Sequence, residues 1–107
     1  MSEDAIYFLD LFKLQLGSLR EELLDPRIRP DKFDRFSYSA WAIEETIKAI
    51  NDIRGYVSVG LIRYVLHEQM DAYHEYYSNN FKTQERYMHA FDTVEYLFNL
   101  TGGYIHE

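Results

Sequence analysis

Residues 58–77 read SVGLIRYVLHEQMDAYHEYY, and this stretch decides the fold. Ile62, Val65, Leu66, Met70, Tyr73 and Tyr77 recur at intervals of three and four. That is the period of one face of an α-helix, not the alternation of a strand. Ser58 precedes the run with a hydroxyl suited to cap its first turn. Ser78, Asn79 and Asn80 follow it with side chains that can end one helix and begin another. A third helix from Ser58 to this polar triplet is therefore expected.

Working outward, a fourth helix is predicted from Phe81 to about Thr101. Met88, Phe91, Val94, Leu97 and Phe98 would face inward, and Gly102-Gly103 would stop it. Upstream, Ala40, Ile43, Ile47 and Ile50 form another stripe. It predicts a second helix from Ser37 or Ser39 to Arg54, with Gly55 as its stop. Both prolines, Pro26 and Pro30, lie in the segment 25–34. Each pushes its predecessor out of helical geometry, so this segment is predicted to be a loop.

The first helix is predicted over Glu3–Leu24, capped by Ser2, with Glu3 and Asp4 at its positive end. Its polar positions are Asp10, Lys13, Gly17, Arg20 and Glu21, and it is apolar around most of the remaining circumference. Surface helices bury one stripe, so this one is expected to have neighbours on several sides or to meet a second chain. A homodimer through helix one is the expectation. The short turns between the last three helices make them antiparallel neighbours. The expected fold is all-α: a single domain spanning residues 1–107, an antiparallel four-helix bundle with helix one joined by a Pro-containing loop.

Composition narrows the function. The 107-residue chain has no cysteine, which excludes disulfides and thiolate ligands and favours a reducing, cytoplasmic compartment. Met1-Ser2-Glu3-Asp4 is acidic and does not read as a signal peptide, and no apolar run has the ~20 residues of a membrane span. The formal net charge is −7. Such a field repels phosphate backbones and suits a basic protein partner, so neither a nucleic acid nor a membrane is expected as partner.

Four groupings bear on chemistry. His67, Asp71 and His74 share one helical face and are weak candidate metal ligands. They spread over ~10 Å of helix axis, so one ion would need help from His89 or Glu85 on helix four. Di-iron bundles pair Glu-x-x-His motifs on two helices; Asp71-Ala72-Tyr73-His74 is an Asp version without a second copy. Glu44 and Glu45 are adjacent and point ~100° apart, so they do not form an acid–base pair. No serine stands in a glycine-framed elbow and no glycine pattern cradles a phosphate. Arg27, Arg29, Lys32 and Arg35 make a basic patch, interleaved with Asp25, Asp31 and Asp34. No cofactor and no catalytic residue is expected.

Arg63-Tyr64-Val65-Leu66-His67 and Arg86-Tyr87-Met88-His89 together resemble the Arg–His motif of HEPN-type helical bundles, with shorter spacings than that family uses. The resemblance implies a toxin–antitoxin ribonuclease in which Arg63 and His67 would act. The aromatic surplus points elsewhere. Tyr76 and Tyr96 fall off the core stripes, with Asp71, Glu75, Asp92 and Glu95 in nearby register. An acidic, tyrosine-rich surface suits a basic protein, with tyrosines as anchors and carboxylates steering the encounter. The expected function is protein binding, in its most concrete form an acidic inhibitor or immunity-type protein that neutralises a basic, nuclease-like toxin. The alternatives are the HEPN-like ribonuclease or toxin–antitoxin component, a structural homodimer, and a helix-bundle metalloprotein.

Overall fold

A computed structural model describes residues 1–79 and 84–103. Its elements, in order, are α1 (Glu3–Leu23), α2 (Pro30–Asn51), α3 (Val59–Asn79) and α4 (Gln84–Leu100). They pack as an all-α four-helix bundle. The expected start of the last helix at Phe81 and the tail from Tyr104 to Glu107 lie outside the described residues.

Local chemistry sets most boundaries. Ser2 caps α1 by accepting a hydrogen bond from Ala5 N at 3.1 Å, and Ser58 Oγ accepts from Leu61 N at 3.1 Å ahead of α3. The Ser2 amide also donates to Val57 O at 3.0 Å, which ties the start of α1 to the segment before α3. Gly55 has φ +99°, a conformation open to glycine and costly for residues with a Cβ. It sits in the α2–α3 connection, whereas α2 itself ends at Asn51 with Asp52 as its cap, not at Arg54.

The start of α2 corrects the sequence reading. The helix begins at Pro30 rather than at Ser37 or Ser39, and the connection from α1 is correspondingly short. Proline disrupts a helix that it interrupts, but at the first position its missing N–H is one that would be unpaired anyway. The steric rule for the preceding residue is obeyed, since Arg29 is extended at φ −73°, ψ 147°. Pro30 thus opens a helix. Within the loop proper, the Asp25 carboxylate accepts from Arg27 N at 2.9 Å. That bond, the Arg27 side chain and then Lys32 hold its pKa below the ordinary carboxylate value.

The core draws on every helix: Phe8, Phe12 and Leu16 of α1, Ile43 and Ile50 of α2, Ile62 and Leu66 of α3, Val94 and Leu97 of α4. Each such side chain contributes about 1.5–3 kcal/mol by leaving water. The buried Thr46 hydroxyl lies 2.9 Å from Ala42 O and 2.8 Å from Gln69 Oε1, so a polar group in the core is satisfied. Tyr77 and Met88, read as inward-facing, are instead exposed by 36% and 39%. They line a hollow with His74, Phe91 and Asp92 on the α3–α4 pair, and among the described residues its lining comes from those two helices.

α3 and α4 pack along their length, and α2 contacts each of the other three helices, packing on α1 and α4 far more than on α3. α1 packs on α2 and touches α3, while α1 and α4 barely meet. Among the described residues, α1 and α4 leave a seam between them over α2.

Candidate functional site

The open seam is a trough of about 550 Å³. Leu14, Gln15, Ser18 and Leu19 form the α1 wall, and His89, Asp92, Thr93 and Tyr96 form the α4 wall. Arg35, Phe36, Ser39 and Ile43 of α2 provide the floor. One hydrogen bond crosses the top, from Gln15 Nε2 to the Tyr96 hydroxyl, and at 3.4 Å it is long. Leu14 is 69% exposed and Tyr96 53% exposed on opposite lips.

The floor is fixed more firmly than the rim. The Ser39 and Thr93 hydroxyls lie 2.8 Å apart, and Thr93 donates to His89 O at 2.8 Å. The His89 ring stacks on Tyr38 at 6.2 Å with 16° between planes, and its Nε2 stands 3.7 Å from Glu85 Oε1. The Phe36 ring is flanked by Lys32 Nζ at 5.2 Å and by the Arg35 guanidinium at 5.3 Å from its centroid. The α1 and α4 helices are net acidic over their length, whereas the trough lining among the described residues carries one carboxylate, Asp92, against one guanidinium, Arg35. α1 carries Glu3, Asp4, Asp10, Glu21 and Glu22 against Lys13 and Arg20, and α4 carries Glu85, Asp92 and Glu95 against Arg86.

Asp92 and Tyr96 of the expected acidic tyrosine surface line this trough. Glu95 is exposed on the same helix. Tyr76 lies elsewhere: its ring stacks on Tyr87 at 5.0 Å, next to the Trp41–Tyr73–Tyr87 cluster. Positions 87 and 96 are nine residues apart, which is half a turn past two full turns. Tyr76 and Tyr96 thus belong to opposite sides of α4 and do not form one surface. Asp71 Oδ2 lies 3.6 Å from His67 Nδ1, and the Glu75 carbonyl accepts from Asn79 Nδ2 at 2.9 Å.

The candidate metal ligands face different neighbours. The rings of His67 and His74 lean on Phe98 and Phe91, at 6.4 and 6.1 Å, whereas His89 and Glu85 pair beside the trough. Among the described residues no three His, Asp or Glu side chains are grouped to hold a metal ion.

The arginines of the two Arg–His pairs are engaged in packing. The Arg63 guanidinium lies 4.0 Å from the centroid of the Phe98 ring. It donates to Phe98 O at 3.1 Å and to Thr101 Oγ1 at 2.9 Å. It therefore satisfies carbonyl and hydroxyl groups at the end of α4. Arg86 lies over Tyr38 and Trp41, at 5.8 and 5.5 Å from their ring centroids.

Sequence reasoning did not single out Leu14, Phe36 or Ile43 as neighbours in a site. The available signal was the apolar surplus on α1, of which Leu14 is part. Comparison with known proteins finds no matching family model, no similar curated protein and no matching solved structure.

Proposed function

We propose that this chain is a protein-binding module whose partner is a basic protein that docks in the α1–α4 seam. One observation carries the reading: a solvent-open apolar trough lies between two net-acidic helices, with Leu14 and Tyr96 exposed on its lips. An exposed apolar strip rimmed by charge is how a protein prepares a contact surface. The net negative charge of α1, of α4 and of the chain as a whole raises the encounter rate with a cationic partner and disfavours acidic ones. A second copy of the chain, at formal charge −7, meets the same repulsion, which favours a different, basic partner over a homodimer through α1. An immunity-type inhibitor that covers a basic, nuclease-like toxin is the specific form of this reading.

The test is site-specific photo-crosslinking in the cells that make the protein, with the crosslinker at position 14 or 96 and a control at the exposed Glu68 of α3. The expected outcome is a common adduct of basic isoelectric point from positions 14 and 96, absent from position 68 and reduced by Asp92→Lys. An adduct from position 68 alone, or an acidic protein captured at the seam, would overturn the proposal.

A further inference from the structure

The trough holds two opposite charges that lack counterparts. Among the described residues its lining carries one guanidinium, Arg35, and one carboxylate, Asp92. They do not pair with each other, and neither side chain makes an ion pair or a hydrogen bond with another residue. Arg20, Arg27 and Arg29, by contrast, each face a carboxylate, at 2.6, 3.2 and 3.7 Å. Arg35 instead meets the ring of Phe36, which Lys32 also flanks. Cations thus gather around Phe36 on the floor, and the anion stands on the α4 wall. Leu14, Leu19, Phe36 and Ile43 supply apolar surface. The volume of about 550 Å³ falls within the ~300–1,000 Å³ of small-molecule sites, which combine an apolar lining with a few orienting polar groups.

Charge complementarity selects among small molecules. An anion would meet Asp92 in a chain of formal charge −7, and a cation would meet Arg35 with Lys32 beside it. An uncharged molecule would displace water from both ions and replace none of its hydrogen bonds. A zwitterion gives each ion its counterpart. Its carboxylate can accept from the guanidinium fork, and its ammonium can donate to Asp92. We infer that the trough binds an amino acid with an apolar side chain, its carboxylate on Arg35, its ammonium on Asp92 and its side chain against Phe36 and Ile43. Such a site requires only the trough lining, not a protein docked above it.

The probe is L-phenylalanine, titrated into the isotope-labelled protein and followed by NMR. Two analogues each lack one charge: N-acetylphenylalanine keeps the carboxylate, and phenylalanine amide keeps the ammonium. The expected result is shift changes centred on Leu14, Phe36, Ile43 and Asp92, with each analogue binding at least ~10-fold more weakly, about 1.4 kcal/mol. Arg35→Gln should erase the preference over phenylalanine amide alone, and Asp92→Asn the preference over N-acetylphenylalanine alone. Both positions are exposed, so the fold should survive either change. Equal affinity for phenylalanine and either analogue would overturn the zwitterionic ligand. Shift changes centred away from the trough, or none at millimolar phenylalanine, would overturn the site. Photo-crosslinking from positions 14 and 96 decides the docking of a protein separately, whichever of these results is obtained.

Discussion

The α3–α4 interface and the α1–α4 seam involve one shared helix and differ in what holds them. Between α3 and α4, Tyr73 stacks on Tyr87 at 6.1 Å and the Arg63 guanidinium sits 4.0 Å from the Phe98 ring centroid while donating into the end of α4. Between α1 and α4, a 3.4 Å hydrogen bond spans a trough. Both helices that wall the seam have apolar residues to spare. Closure requires those residues to interdigitate, and at the seam Leu14 and Tyr96 are exposed on opposite lips. A bundle of this size can keep its stability in the closed interfaces and leave one edge for contact with another molecule.

The strongest way to break this contrast is to compare two α1 positions. Phe12 is fully buried and Leu14 is 69% exposed. Phe12→Ala should cost about 3–5 kcal/mol of unfolding free energy, since it removes a buried ring and leaves a cavity. Urea denaturation measures this directly, and a cost below about 1 kcal/mol would mean that α1 is not part of the core.

The closed side carries a pH signature. Tyr73 is 7% exposed, and burial, reinforced by Glu45 and Tyr87, pushes its phenol up to about 12. The fold favours the neutral phenol, so the associated stability, ~2–3 kcal/mol at 1.36 kcal/mol per pKa unit, is fully present below about pH 10. It is lost as pH rises from there toward 12. A tyrosinate absorbance step near pH 12 that disappears in Tyr73→Phe is the expected observation, and its absence would show this aromatic cluster to be wet.

A smaller loss is expected for Arg63→Ala. It leaves Phe98 O and Thr101 Oγ1 without their charged donor, at about 1–3 kcal/mol. Faster hydrogen exchange in the last turn of α4 should accompany it, with α1 unaffected. The smallest effect belongs to the open edge. Leu14→Ser should move stability by less than about 0.5 kcal/mol, so that any large change in binding by this variant reports on the seam alone.

The four helices were readable because their stripes repeat at helical period and their ends carry capping chemistry, as at Ser2 and Ser58. The start of α2 is misplaced in the sequence reading because proline's steric and hydrogen-bond penalties fall on the residues before it, so Pro30 excludes Arg29 from the helix while leaving Asp31 onward free to form one. Tyr77 and Met88 continued their stripes in sequence but not in burial, because a stripe does not show where the covering helix ends. The seam was only half legible. Excess apolar residues on α1 signal that something remains uncovered, but whether α1 and α4 meet depends on both packing against α2, and no single helix encodes that. Tyr76 and Tyr96 were grouped because both lie off the core stripes, a criterion that separates in from out and cannot distinguish two outward faces.

The central position of α2 also bears on the order in which the chain gains and loses structure. Every other helix contacts it, whereas α1 depends on it and on a smaller contact with α3. Opening α1 exposes one face of α2; opening α2 dismantles all of its partners at once. Amide protection should therefore be greatest along α2, where exchange requires global unfolding, and should fall in α1, which can detach as a smaller cooperative unit. The mobile wall of the seam would then be α1, so anything that bridges α1 to α4 would slow the first step of unfolding.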